Sequence, residues 1–394
     1  MRVVKKCIIT CLYIWLSCCT VQARSNSDSL MHAVLLRINS LQQHGEAYYA
    51  PGIFPAYRKM VVNGRVYKDE NIFFSGIICF TLRRIKPQLS AADQAICDTI
   101  IQRLRAAAHK FKNQSGRQTY NFGANDTVKP FFLSWPLSML NGYMHVADDF
   151  DDTAIMQLAL GEPDSVAAAV HALMQGYTNK DGRLARTTLK GYKKYEAYSV
   201  WFGKKMLVEL DACVLCNTLY MVQAYNLPWT KADSASLAFL VQAVKTGDYL
   251  KHPNKLSVYY KTAPAIMYHL ARLMSLKPIA ALEALKPQLI SDATAAYQKA
   301  GTMPEKIMLR TALLHWGVSL PAEQAWHTDD IFSALETSSF VFFIASASAT
   351  FPGFLVYPLV ETGITRINYY CPAYNDCLLL EYLAEQKRYN NNNP

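Results

Sequence analysis

Four carboxylates fall within five positions of the run HVADDFDDTAIMQLALG, residues 145–161: Asp148, Asp149, Asp151 and Asp152. On a helix turning ~100° per residue, with Asp148 at the origin, Asp149 falls near ~100°, Asp151 near ~300° and Asp152 near ~40°. All four share one face, and Phe150 points away. Ile155, Leu158 and Ala159 continue on the acidic side, so the acids lead into the apolar stripe that faces the interior. One or two acids at a helix start need no further cause, because they accept orphan N–H groups and meet the positive end of the macrodipole. Four in a tight arc repel one another, and at least one tends to hold a proton. A buried carboxyl that keeps its proton near neutrality is a general acid. The plain alternative is a capping cluster.

A second set of reactive side chains lies in ELDACVLCN, residues 209–217. Cys213 and Cys216 form a C-x-x-C, which suits a disulfide or redox pair. They also stand three apart with Leu219, which suits the buried face of one helix. His269, in IMYHLARL, sits on an apolar face where a core histidine is ordinary.

The elements that must position these groups are helical. Amphipathic or apolar helical periodicity runs through SLMHAVLLRINSLQQ, DENIFFSGIICFTLRRI, SAADQAICDTIIQRLRAAAHKF, PDSVAAAVHALMQGY, DACVLCNTLYMVQAY and KADSASLAFLVQAV. It continues in SVYYKTAPAIMYHLARLM, IAALEALKPQLISDATAAY, PEKIMLRTALLHWG and YNDCLLLEYLAEQ. Start signals accompany several of them, such as Ser90 with Asp93, Pro163 and Pro304. No clear run of alternating strand residues appears. Short breaks imply antiparallel helix hairpins, and no fixed solenoid repeat is found. The expectation is an all-α chain, an α/α toroid built as a ring of helical hairpins. Long connections at 45–68, 114–147 and 178–207 would cluster at one end and build the site. Tyr57, Arg58, Asn121, Trp135 and Trp201 lie on these connections rather than on packing stripes, and are candidate substrate-binding residues.

The ends bound the compartment. Arg2, Lys5 and Lys6, then the apolar stretch from Cys7 to Val21, then Val21-Gln22-Ala23, read as a secretory signal peptide over residues 1–23. A single toroid domain is expected over 24–388, and the Asn-rich end, 389–394, reads as a disordered tail. No later segment reaches the ~20 apolar residues that a membrane-spanning helix needs. The full chain carries a formal net charge of +10; losing the leader's three basic residues leaves +7. Lysine and arginine are scattered, which argues against a nucleic-acid partner. Six cysteines remain beyond the leader, Cys79, Cys97, Cys213, Cys216, Cys371 and Cys377, enough for up to three disulfides of undetermined pairing.

DFDDTA, Asp149 to Ala154, resembles the D-x-D-D-T-A motif of class II terpenoid cyclases, a group that includes the squalene–hopene cyclases and shares its toroid with protein prenyltransferases. The resemblance implies that Asp151 protonates an alkene or epoxide, with Asp149 and Asp152 polarising it, in a pocket whose aromatics stabilise a carbocation. It covers six residues, and the Q-x-x-x-G-x-W repeats of the squalene–hopene group are absent. The same acids satisfy D-D-x-x-D as Asp148, Asp149 and Asp152, the spacing by which prenyl-diphosphate enzymes hold Mg²⁺. Asp211-x-Cys213 resembles the zinc ligands of the protein prenyltransferases, with His269 completing the set. GIFPAYRKM (52–60), KDENIFFSGIICFTL (68–82) and TYNFG (119–123) resemble secreted proteins of unassigned role from the Bacteroidetes group that carry this toroid.

Three functions compete. An acid-initiated enzyme of polyprenyl or terpenoid lipids would use Asp151. A secreted carbohydrate-active enzyme would pair Asp151 with Glu196 or Glu209, and would use Trp135 and Trp201 as sugar platforms. A non-catalytic envelope binding module would use the acids as a cap or a Ca²⁺ site. The partner is therefore a lipid or glycan small molecule. Nothing in the pattern names a cofactor.

Overall fold

The computed structural model describes residues 27–42, 47–125, 148–180, 185–203, 206–321, 328–336, 340–346 and 366–393. The expected leader and Trp135 lie outside the described residues. In chain order the longer elements are α1 (27–41), β1 (Ala56–Met60), β2 (Val66–Asp69), α2 (Ile72–Ile85), α3 (Ala91–Ala107), α4 (Phe150–Leu160) and α5 (Asp164–Met174). There follow α6 (Ala212–Ala224), α7 (Lys231–Thr246), α8 (Ala263–Leu276), α9 (Lys286–Tyr297), α10 (Met303–His315), α11 (Thr328–Glu336), β3 (Phe343–Ser346), β4 (Arg366–Tyr370) and α12 (Pro372–Asn392).

The even-numbered helices make a closed cycle. Helix α2 packs on α4, α4 on α6, α6 on α8, α8 on α10, α10 on α12, and α12 returns to α2. Burial separates these from the others. Every residue of α4 is buried, and all but one of α6, so both are apolar all round rather than striped. In α9 only Leu289, Ala293 and Tyr297 are buried, a narrow stripe that rests on α8 and α10. Helices α3, α7 and α11 lie similarly against the even-numbered ones. Where α2 crosses α4, Gly76 brings its backbone against Ile155 and Met156, leaving a β-carbon 3.0 Å from the Met156 sulfur.

The chain is mostly helical but carries a four-stranded antiparallel sheet in the order β2-β1-β4-β3, which corrects the all-α expectation. Tyr57 pairs with Tyr370 and Phe343 with Tyr369. Burial alternates along β1 and β4, a two-residue period that five residues are too few to announce. The tail also differs from expectation: α12 runs on to Asn392. Lys387 pairs with Asp28 at 2.8 Å and Tyr389 packs on the core, so the Asn-rich end extends an anchored helix. All six described cysteines are free and buried. Among the described residues no helix is long and apolar enough to cross a membrane.

Five of the six even-numbered helices open on side-chain caps; α12, which follows Cys371, does not. Asn71, Asp149, Asp211, Thr262 and Thr302 each accept a backbone N–H from the first turn of α2, α4, α6, α8 and α10. Deeper in, Arg84 of α2 joins Glu381 and Glu385 of α12, the latter at 2.8 Å. Tyr268 of α8 donates to Glu381 as well. This ion cluster closes the cycle between its last and first members. Arg84→Met would leave buried Glu381 without its cation and Glu385 with only the more exposed Arg388, so a loss of about 3–5 kcal/mol is expected by urea denaturation. A variant within half a kcal/mol of wild type would show that α12 needs no such tie.

Candidate functional site

The acids sit where α4 starts, between two extended segments. Asp149 is extended (φ −118°, ψ 162°) and its carboxylate accepts the Asp152 N–H at 2.6 Å. Backbone bonds run from Asp149 N–H to the Tyr120 carbonyl and from Phe150 N–H to the Val200 carbonyl, at 3.3 and 2.8 Å. Phe202 N–H reaches the Asp148 carbonyl at 3.0 Å, and Thr153 accepts from Tyr120 N–H at 3.0 Å. Phe150 stacks on Phe202. The acidic turn is thereby fixed before any side chain is considered.

The four acids separate into roles. Asp148 precedes the cap and turns outward from the helix start: Asn113 donates to both its oxygens, Thr119 donates to one, and Arg117 lies 2.9 Å away. It is a compensated structural carboxylate, which corrects the four-on-one-face reading. Asp151 faces the interior. Its Oδ1 accepts from Asn217 of α6 at 2.6 Å and its Oδ2 from the Tyr260 hydroxyl at 2.5 Å. Burial, then the Asp149 charge, pushes its pKa up to about 7. Burial lifts Asp149 to about 6 and holds Asp152 well above the usual carboxylate range. Neither Asp152 oxygen has an N–H or O–H donor among the described residues. Its neighbour is the Asp149 carboxyl, which can bond it only if one of the two carries a proton.

One extended segment ahead of α8 holds three buried acids. Ser257 hydroxyl and Tyr259 N–H donate to Asp211, at 2.6 and 2.9 Å. The Tyr259 hydroxyl donates to Glu209, and the Tyr260 hydroxyl to Asp151. Glu209 also accepts from the Trp201 indole at 2.9 Å. Burial raises both Glu209 and Asp211. Several rings stand around Tyr260: His269 at 5.0 Å, Phe342 at 5.3 Å, Phe73 at 6.2 Å and Phe343 at 6.3 Å. Behind Asn217 lies Arg272 of α8, buried, donating to the amide oxygen at 2.5 Å. The Phe80 and Tyr268 rings flank its guanidinium.

The structure thus brings Asp149, Asp151, Asp152, Glu209 and Trp201 to one place and leaves the other candidates elsewhere. Tyr57 and Arg58 belong to β1, not to an irregular loop; Tyr57 stacks on Tyr370 and Arg58 lies 3.5 Å from Asp69. Asn121 bonds Asn125 in the loop after α3. Glu196 is exposed, so it cannot partner the buried Asp151. The metal readings meet residues already engaged. Asp148 is taken up by Asn113, Thr119 and Arg117. Asp211 caps α6, and His269 donates from Nδ1 to the Ala265 carbonyl at 2.7 Å, its ring kept neutral by burial. Among the described residues no three His, Cys, Asp or Glu side chains gather as metal ligands.

Tyr259, Tyr260, Asn217 and Arg272 are the residues that sequence reading missed. The signals exist. Thr262 followed by Pro264 marks the true start of α8 and leaves SVYYK extended. Asn217 and Arg272 are polar interruptions in otherwise apolar helices, which burial makes costly unless they serve each other.

Folded Asp151 holds a proton that the unfolded chain releases above pH about 4, so its contribution to stability is greatest in acid. It should fall as pH rises toward about 7, where Asp151 ionises. Asp151→Asn, which imitates the protonated carboxyl, should flatten that slope in melting temperature measured across the range. An unchanged slope would place the buried protons elsewhere.

Comparison of the chain with protein-family models, with curated proteins and with solved structures finds no match in any of the three, so the reading of the site rests on its own chemistry.

Proposed function

We propose that the chain is a secreted α/α-toroid protein of the terpenoid cyclase and prenyltransferase type, in which Asp151 is the general acid acting on a polyprenyl or terpenoid lipid. The observation that carries the reading is a carboxyl buried at the start of α4 and bonded to Tyr260, whose ring packs with Phe73, Phe342 and Phe343; burial pushes that carboxyl up to about 7. A proton given to an alkene or epoxide there leaves a carbocation, and ring faces stabilise a cation where water does not reach. Burial first, and the Asp149 charge second, favour the protonated form of Asp151. The cyclic packing of α2, α4, α6, α8, α10 and α12, with less buried helices outside, supports the toroid. The leader-like residues 1–23 support export.

A second reading has its own observation. Glu209, buried and bonded by Trp201, shares the Tyr259–Tyr260 segment with Asp151. Two carboxyls with an indole beside them also suit a glycan-cleaving enzyme.

The test is incubation of the purified chain with squalene and with squalene epoxide, followed by mass spectrometry. Expected is an isomer of unchanged mass and altered retention, and a loss of about a hundredfold or more in Asp151→Asn. Unchanged probes, or full activity in Asp151→Asn, would overturn the lipid reading. Release of reducing ends from a polysaccharide panel would favour the second.

A further inference from the structure

Arginine can only donate hydrogen bonds, and this fixes more than its own position. The Arg272 guanidinium meets the Asn217 amide at 2.5 Å, so the atom facing it must be the amide oxygen. The Asn217 NH₂ then faces Asp151 and donates to Oδ1 at 2.6 Å. A proton on Oδ1 would collide with that donor. Any proton that Asp151 holds must therefore sit on Oδ2, and Oδ2 faces the Tyr260 hydroxyl at 2.5 Å. When Oδ2 carries it, the Tyr260 oxygen becomes the acceptor and its own hydrogen turns away from the acid. Among the described residues the rings of Phe73, Phe342, Phe343 and His269 pack around the Tyr260 ring.

We propose that Tyr260, rather than Asp151, is the group that hands the proton to the substrate. Asp151 is its reservoir, and Asn217 and Arg272 are positioning residues that set the direction of transfer. This deepens the lipid reading above and rests on it. The phenolic O–H of Tyr260 breaks as a new C–H bond forms at the alkene, or an O–H bond at the epoxide. In the same event the Asp151 O–H breaks and its proton moves to the Tyr260 oxygen. The substrate leaves the step as a cation and Asp151 as a carboxylate that accepts from Asn217 and Tyr260. Solvent returns the proton to Asp151 before the next turnover. The phenol never carries a charge, which suits a ring whose burial and acidic neighbour oppose its ionisation.

The experiment uses the full chain with squalene and squalene epoxide in heavy water, scoring deuterium uptake by mass spectrometry. Wild type is expected to turn over both and to label the squalene product at carbon, because deuterium on the epoxide-derived hydroxyl exchanges away. Tyr260→Phe is expected to lose about a hundredfold or more of that rate while melting as wild type does. Asn217→Leu, which removes the polarity but leaves both relay oxygens, is expected to lose less. Proton inventory on wild type, in mixtures of light and heavy water, is expected to curve, because two protons move together; this arm stands even if Tyr260→Phe does not fold. Labelling by wild type with full activity in Tyr260→Phe, or a linear inventory, would overturn the relay and leave Asp151 as the direct donor. No labelling by wild type would overturn the lipid reading, and the relay with it.

Discussion

Everything about this site depends on a carboxyl buried without a cation in direct contact. A carboxylate taken out of water must find a counter-ion, accept several hydrogen bonds, or keep its proton. Asp148 takes the first course with Arg117, and Asp211 the second with Ser257 and three backbone N–H groups. Asp151 accepts two neutral donors, while the guanidinium that would neutralise it stands one residue further back, behind Asn217. Asp149 and Asp152 have less still. The start of α4 thus gathers three buried carboxyls that have no cation in contact among the described residues, a cost that the rest of the fold must offset.

The cycle of even-numbered helices makes the arrangement stable. Side chains from α2, α4, α8 and α12, or from the residues just before them, meet through Phe74, Asp151, Tyr260, Phe342 and Tyr374. The ion cluster of Arg84, Glu381 and Glu385 ties α2 to α12 independently. Strand β3 supports the wall, because Ile344 N–H bonds the Tyr259 carbonyl at 2.9 Å and Phe343 stacks on Tyr369 of β4. The small sheet is thus part of how the Tyr259–Tyr260 segment is held.

Local information carried much of this. The apolar period marked the helices, and the position of Asp149, Asp151 and Asp152 on the stripe side of α4 marked an inward-facing acid group. The same wheel misplaced Asp148, because a helix cap breaks the rotation that the wheel assumes. Helical periodicity also swallowed SVYYK, although Thr262 and Pro264 start α8 later. What no periodicity could reach were the partners. Tyr260 lies 109 residues from Asp151, and Arg272 lies 55 from Asn217. Such pairs exist only once the helices pack. Strands of four or five residues gave too short a pattern to read, and burial alone could not rank Glu196 against Glu209.

The central claim is that Asp151 keeps its proton at neutral pH inside the folded chain. The direct measurement is an infrared difference titration of isotope-labelled aspartate, wild type against Asp151→Asn. A protonated carboxyl band present in wild type, absent from the variant and half lost at pH about 7, is the expected result. A carboxylate that ionises near 3.8, the ordinary aspartate value, would contradict the account.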